Sequence, residues 1–188
     1  PLPNDQPPFN LRVAQYVLGY ALGPAAESLF ERYTLGKLSN EALNDQVLLE
    51  ASVNGSADEG LLTANRIREL AVSPVERRFD PHHLREIHRR IFQDLPQHGP
   101  GDYRPSADAH IKRRSLESTA YRYDVPYANR AARDADLEHV LGTFGGPQRL
   151  CGLGIEEFSI HMEQLYGDLD YLHPFREGNS RTLRSFTA

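Results

Sequence analysis

The sequence predicts a mainly α fold, a compact helical core carrying one short β-hairpin. Three observations predict it. Apolar residues recur at helical spacing through most of the chain, Pro and Gly divide those stretches into short pieces, and only residues 109–125 read as two extended runs. The chain has 188 residues, 39% hydrophobic and 25% charged, which is enough for one domain core and a small helical extension. A net charge of −5 lacks the basic excess of a nucleic-acid binder, so no DNA partner is expected. No apolar run reaches membrane-spanning length, and "PLPNDQPPFN" lacks the basic-then-apolar order of a signal peptide. Cys151 is the single cysteine, which excludes an intramolecular disulfide and fits a reducing compartment. No membrane partner and a cytoplasmic location are the expectation. The first residue is Pro1 rather than Met, so a fragment or a processed form is expected.

The elements follow in order. Residues 1–8 are Pro-rich and irregular, and helical spacing then covers 9–21, 25–34 and 40–52. The stretch "NGSADEG" at 54–60 reads as a break or a weak helix start, and 61–71 as a helix that stops before Ser73-Pro74. In 79–95, Asp80 suits an N-cap and Pro81 the first helical position, while Leu84, Ile87, His88, Ile91 and Leu95 share a stripe. A Pro/Gly-rich loop at 96–106 leads to the hairpin, and 127–144 reads as a helix ended by Gly145-Gly146-Pro147. A last long helix puts Ile155, Phe158, Met162, Leu165, Tyr166, Leu169 and Leu172 on one face and stops at His173-Pro174.

The string that follows, "HPFREGNSRTLR" (173–184), concentrates the chemistry. Pro174 is expected to hold His173 extended, Phe175 to point inward and Glu177 to offer a hard oxygen suited to Mg²⁺. Gly178 allows unusual backbone angles, and Asn179 is expected to cap a helix over 180–187. The start of that helix would present free N–H groups to an anion, with Arg181 and Arg184 on nearly one face as a phosphate clamp. Together these are a base, a metal ligand and an anion nest, the parts that phosphoryl or nucleotidyl transfer requires. Read from the chemistry alone, the string also fits an ordinary joint between two helices with solvated arginines.

The string resembles the signature of Fic-domain proteins, H-x-F-x-(D/E)-G-N-(G/K)-R-x-x-R. His173, Phe175, Glu177, Gly178, Asn179, Arg181 and Arg184 match it, a coincidence of roughly one in 10⁹ at a given start. Ser180 departs from the usual Gly or Lys but keeps its N–H. "HLREIHRRIF" (83–92) and "GDYR" (101–104) are similar to the family's preceding segments, so 80–188 is well covered and 1–53 hardly. The resemblance implies the Fic fold, with 61–188 as its core and 1–60 as a helical extension bearing an inhibitory segment. The family continues past the motif helix, so a clipped C-terminus is expected.

The activity the resemblance implies is transfer of AMP from ATP to a Ser, Thr or Tyr hydroxyl of a protein, releasing pyrophosphate. His173 would be the base, Glu177 the Mg²⁺ ligand, Gly178, Asn179 and Ser180 part of the anion site, and Arg181 and Arg184 the holders of the outer phosphates. The flap at 109–125 would dock the target by strand addition. Transfer of UMP, phosphocholine or phosphate on the same scaffold, and a catalytically silent binding module, are the alternatives. The resemblance also implies a brake, a glutamate that pairs with the second motif arginine. "GSADEGLLT" (55–63) places Glu59 as that candidate, although Gly55 stands where Ser or Thr belongs. Otherwise the brake would come from a separate antitoxin-like protein or from residues beyond 188.

Other residues carry plainer readings. His82, His83 and His88 lack metal-ligand spacing and fit a capped amphipathic helix. "KRR" (112–114) reads as a solvated flap edge, and His161 and Met162 as core-helix residues. Cys151 has no activating neighbour in sequence, and Tyr121 and Tyr123 are expected to pack the flap.

Overall fold

The computed structural model describes residues 17, 19, 22–53, 58–76, 78–105, 110–115, 121–128 and 134–188. The expected helix 9–21 falls almost wholly outside them. Helix α1 is Pro24–Thr34, α2 Asn40–Val53, α3 Glu59–Val72 and α4 Pro81–Phe92. The strands β1 (Ile111–Ser115) and β2 (Arg122–Pro126) follow, then α5 Asp134–Phe144, α6 Ile155–Leu172 and α7 Asn179–Phe186. The helical class with a hairpin flap is as the sequence predicts. The strands pair antiparallel, Ile111 against Pro126 and Ser115 against Arg122.

Helix α4 is the spine. Asp80 accepts from the His83 N–H at 2.8 Å and Pro81 opens the helix, as the sequence indicates. Ile87, Ile91 and Phe92 face one apolar cluster, shared with α1 to α3 through Phe30, Leu43, Val47, Leu61 and Ile67. Leu84 faces a second, built from Leu137, Leu141, Leu165, Leu169, Phe175 and Leu183. Helix α4 is thus buried on two sides.

Helix α3 carries a polar core. Asp58 caps it by accepting from the Leu61 N–H at 3.0 Å. Arg68, fully buried, donates to Asn65 and Asn44, each at 3.0 Å, and to Asn40, with its guanidinium 4.7 Å over the Tyr33 ring. A buried cation needs such partners, and they lock α2 to α3.

Three expectations change. Residues 127 and 128 extend the hairpin instead of starting a helix, because Tyr127 N–H donates to the His110 carbonyl and Ala128 N–H to the Tyr171 carbonyl. Helix α4 ends at Phe92 rather than Leu95, where Leu95 N–H turns back to the Phe92 carbonyl. The apolar face of α6 is buried only in its second half. Leu165 and Leu169 are covered, whereas Ile155 is 77% and Phe158 38% exposed, and Phe158 and Met162 wall an apolar groove of about 460 Å³.

Candidate active site

The chain reverses between α6 and α7, and the turn is built on buried backbone bonds. His173 ends α6 in the left-handed region, φ 46° and ψ 59°, its N–H donating to the Leu169 carbonyl at 3.3 Å. This corrects the extended conformation expected there. Pro174 disfavours right-handed helical geometry at residue 173, and the left-handed well satisfies that constraint while closing the helix. Arg104, buried, then clamps the turn. Its Nε donates to the His173 carbonyl at 2.8 Å, Nη2 to the Ala128 carbonyl at 2.6 Å, and its own N–H to the Pro174 carbonyl at 2.8 Å.

Phe175 points inward and is fully buried, its ring stacked on His88 with centroids 3.9 Å apart. Burial of such a ring stabilises by roughly 2–3 kcal/mol. Asn179 is not the cap. It is the first residue of α7, Gly178 precedes it at φ 77°, and the Asn179 amide turns back to Phe175, accepting from its N–H at 2.9 Å and donating to its carbonyl at 2.7 Å. Buried backbone groups must be paired, and the amide serves both of Phe175's. Gly178 lies against α4, where a Cβ would fall 2.1 Å from Phe92 Cζ.

The His173 side chain is buried against the rings of Tyr127 and His110, centroids 4.0 and 5.1 Å away. Its Nδ1 lies 3.3 Å from the Asp170 carbonyl. A carbonyl only accepts, so Nδ1 carries the proton and Nε2 the lone pair. Nε2 is buried and has no hydrogen-bond partner among the described residues. Burial, with the nearby Arg104 and His173, pushes the neighbouring His110 below the usual histidine range.

Glu177 is half-exposed, and Lys112 of the flap reaches it, Nζ to Oε2 at 3.5 Å. Behind it, His88 bridges two loops. Its Nδ1 accepts from the Gly101 N–H at 2.9 Å, so Nε2 carries the proton and donates to the Glu177 carbonyl at 3.0 Å. Burial pushes the His88 pKa down to about 4, the bond to Glu177 offsetting only part of that, and the ring is neutral.

The two arginines diverge rather than share a face. Arg181 pairs with Glu59, donates from Nη1 to Thr63 Oγ1 at 3.2 Å, and lies 5.0 Å over the Phe92 ring. Arg184 donates from Nε to the Val17 carbonyl at 2.9 Å. Glu59 therefore meets the first motif arginine, not the second as expected. Helix α3 starts at Glu59, and its packing on α4 leaves that carboxylate over the first turn of α7, while Arg184, one turn on, faces Val17. The other Glu59 oxygen lies 3.1 Å from His98 Nε2. Burial alone would raise the Glu59 carboxyl, but the hydrogen bond and charge of Arg181, joined by those of His98, hold it below the usual carboxylate range. Ser180 is part-buried in the first turn of α7.

Sequence reading gave no role to His98, His110 or Tyr127, read Lys112 only as a solvated flap edge and Thr63 only as part of the Glu59 string; tertiary packing brings all five to the site. Arg104 lies inside the quoted "GDYR".

The turn between α6 and α7 thus gathers a buried imidazole, two arginines and a carboxylate around one helix start in a mainly helical protein. Residues 78–188 match the Fic/DOC family, and the chain belongs to that family. Protein adenylyltransferase VbhT of Bartonella schoenbuchensis is 32% identical over 118 residues, covering 63% of this chain and 22% of the relative. A protein adenylyltransferase of Bartonella henselae is 27% identical over 130 residues, covering 66% of this chain and 23% of the relative. The chain thus spans less than a quarter of the length of these relatives. Among the described residues no helix is long and apolar enough to cross a membrane.

Proposed function

We propose that the chain is a protein adenylyltransferase, moving AMP from ATP to a hydroxyl of a target protein. The observation that carries this reading is the placement of the His173 ring, with Nδ1 3.3 Å from the Asp170 carbonyl and Nε2 buried without a partner among the described residues. Nε2 is the atom able to take a proton. The hydroxyl oxygen attacks the α-phosphorus, the bond to the β-phosphate oxygen breaks, pyrophosphate leaves, and the hydroxyl proton goes to Nε2. The names of the two Bartonella relatives support AMP as the group transferred.

The remaining residues supply position and charge. N–H groups at the start of α7, from Gly178, Asn179 and Ser180, face the phosphates, because the first turn of a helix leaves them without helical acceptors. Arg181 and Arg184 take the outer phosphates after exchanging their present partners, Glu59 and the Val17 carbonyl. Glu177 fits a magnesium ion: it is a half-exposed hard-oxygen donor, and the Lys112 ammonium already stands beside it as a cation. When bound, Mg²⁺ supplies charge neutralisation at the phosphates. The His173 ring packs against those of His110 and Tyr127 and its Nε2 is buried, so the covering side chains move aside for an incoming hydroxyl. An extended target segment adds along an edge of the flap, of which β1 and β2 are the described strands. Glu59 acts as a brake by holding Arg181, unless a separate antitoxin-like protein contributes one.

The test is label transfer from α-labelled ATP to protein, with a donor screen by intact mass to separate AMP from UMP, phosphocholine and phosphate. His173→Ala is expected to lower transfer by at least about a hundredfold, the scale of lost general-base catalysis. Transfer that survives this change refutes the base. A mass increase other than one AMP refutes the donor.

A further inference from the structure

We propose that His88 is a positioning residue that sets which way the Glu177–Gly178 peptide faces, and so keeps the Gly178 N–H aimed at the bound phosphates. The inference rests on the nucleotide reading above. It adds to that reading a residue on a different helix that touches neither substrate nor reacting atoms.

The argument starts from the two ring nitrogens. The Gly101 N–H can only donate, so His88 Nδ1 must accept and Nε2 must carry the proton. That proton goes to the Glu177 carbonyl at 3.0 Å. The peptide is planar and trans, so the Gly178 N–H points opposite to that carbonyl, away from α4. It therefore joins the N–H groups at the start of α7 instead of opposing them.

The alternative orientation is accessible. Gly178 sits at φ 77° and carries no Cβ to resist rotation of the preceding peptide. A flipped peptide would turn the Glu177 carbonyl oxygen toward the phosphates and set the Gly178 N–H against the His88 Nε2–H. The anion would then meet a lone pair where it needs a donor. The imidazole is well placed to prevent this. It is fully buried and stacked on Phe175 at an interplanar angle of 8°, so its rotamer is held. Gly101 closes the chain of constraint, since its N–H fixes the tautomer that makes Nε2 a donor.

Two substitutions separate this role from bulk packing. In His88→Gln the amide nitrogen replaces Nε2 and still donates to Glu177. In His88→Asn the amide oxygen replaces Nδ1 and still accepts from Gly101, but nothing donates to Glu177. Both lose the ring and one of two buried bonds, so urea unfolding should cost them similarly. Affinity for a non-hydrolysable ATP analogue with Mg²⁺, measured by calorimetry on the 188-residue chain, should fall about tenfold or more in His88→Asn and within about threefold in His88→Gln. Equal affinities in the two variants overturn the proposal. A wild-type chain that binds no analogue instead overturns the nucleotide reading beneath it. A readout free of variants uses the wild-type amide spectrum, in which the Gly178 N–H is expected to shift on addition of the analogue. A Gly178 resonance that stays put while those of Asn179 and Ser180 move overturns the proposal even where neither variant folds.

Discussion

Gly178→Ala tests how tightly the phosphate-facing turn is set against α4. An added Cβ would lie 2.1 Å from Phe92 Cζ and 2.2 Å from Cε2, well inside contact distance, and Phe92 is fully buried with no room to swing out. Two costs add. The left-handed backbone at φ 77° costs an alanine roughly 1–2 kcal/mol. Overpacking against the ring costs about 1–3 kcal/mol more. The sum, roughly 2–5 kcal/mol, is a large fraction of the ~5–15 kcal/mol that holds a domain together. The two terms separate in a Phe92→Leu background, where the ring is gone and only the backbone cost of about 1–2 kcal/mol should remain. Urea unfolding of the wild type, both single variants and the double variant gives the cycle. A Gly178→Ala cost equal in the two backgrounds would refute the packing argument, and a cost below about 1 kcal/mol would refute both terms.

Two further perturbations follow from the charges around the site. Glu59→Gln should raise AMP transfer by freeing Arg181, and wild type and variant should converge in stability on acidification. The Glu59 carboxyl is depressed in the fold, so its contribution is complete above the unfolded carboxylate pKa and lost as pH falls through the folded one; pH–stability curves that stay parallel under acid would contradict this. Lys112→Met should tighten Mn²⁺ binding, measured by electron paramagnetic resonance, about two- to fivefold, equivalent to the ~0.4–1 kcal/mol of an exposed ion pair removed from Glu177. Unchanged or weaker binding would mean that Lys112 does not compete with the metal.

Local signals were legible in the sequence where the chemistry is local. Asp80-Pro81 marked the start of α4 because an N-cap and a pre-set φ act within one turn. The spacing of His173, Glu177, Arg181 and Arg184 marked the site because a short turn and one helix carry them all. The misreadings lie where a long-range partner overrides the local preference. Asn179 is a good cap by type, but the buried backbone of Phe175 claims its amide. His173 before proline reads as extended until it must also end an 18-residue helix. The Glu59–Arg181 pair spans 122 positions, and no periodicity or spacing encodes which arginine a distant carboxylate will meet.

The charged side chains of the proposed site already have partners in the chain itself, and the His173 ring is covered. Glu59 holds Arg181, the Val17 carbonyl holds Arg184, Lys112 faces Glu177, and His110 with Tyr127 covers His173. A Mg·ATP complex offers a like-for-like replacement for each: phosphate oxygens for the Glu59 carboxylate and the Val17 carbonyl, the metal for the Lys112 ammonium. Binding is therefore an exchange of partners, and only the difference between old and new contacts appears as affinity. Partly exposed pairs such as Lys112–Glu177 and Glu59–Arg181 are weak opponents. The ring cover over His173 is different, because nothing on the nucleotide replaces it. Exchanging Lys112 away from Glu177 would remove one tie between β1 and the motif turn, and β1 adjoins His110. On the proposed reading, a metal at Glu177 would therefore loosen the flap that covers the base, and the proton acceptor would become reachable once phosphates and metal were in place.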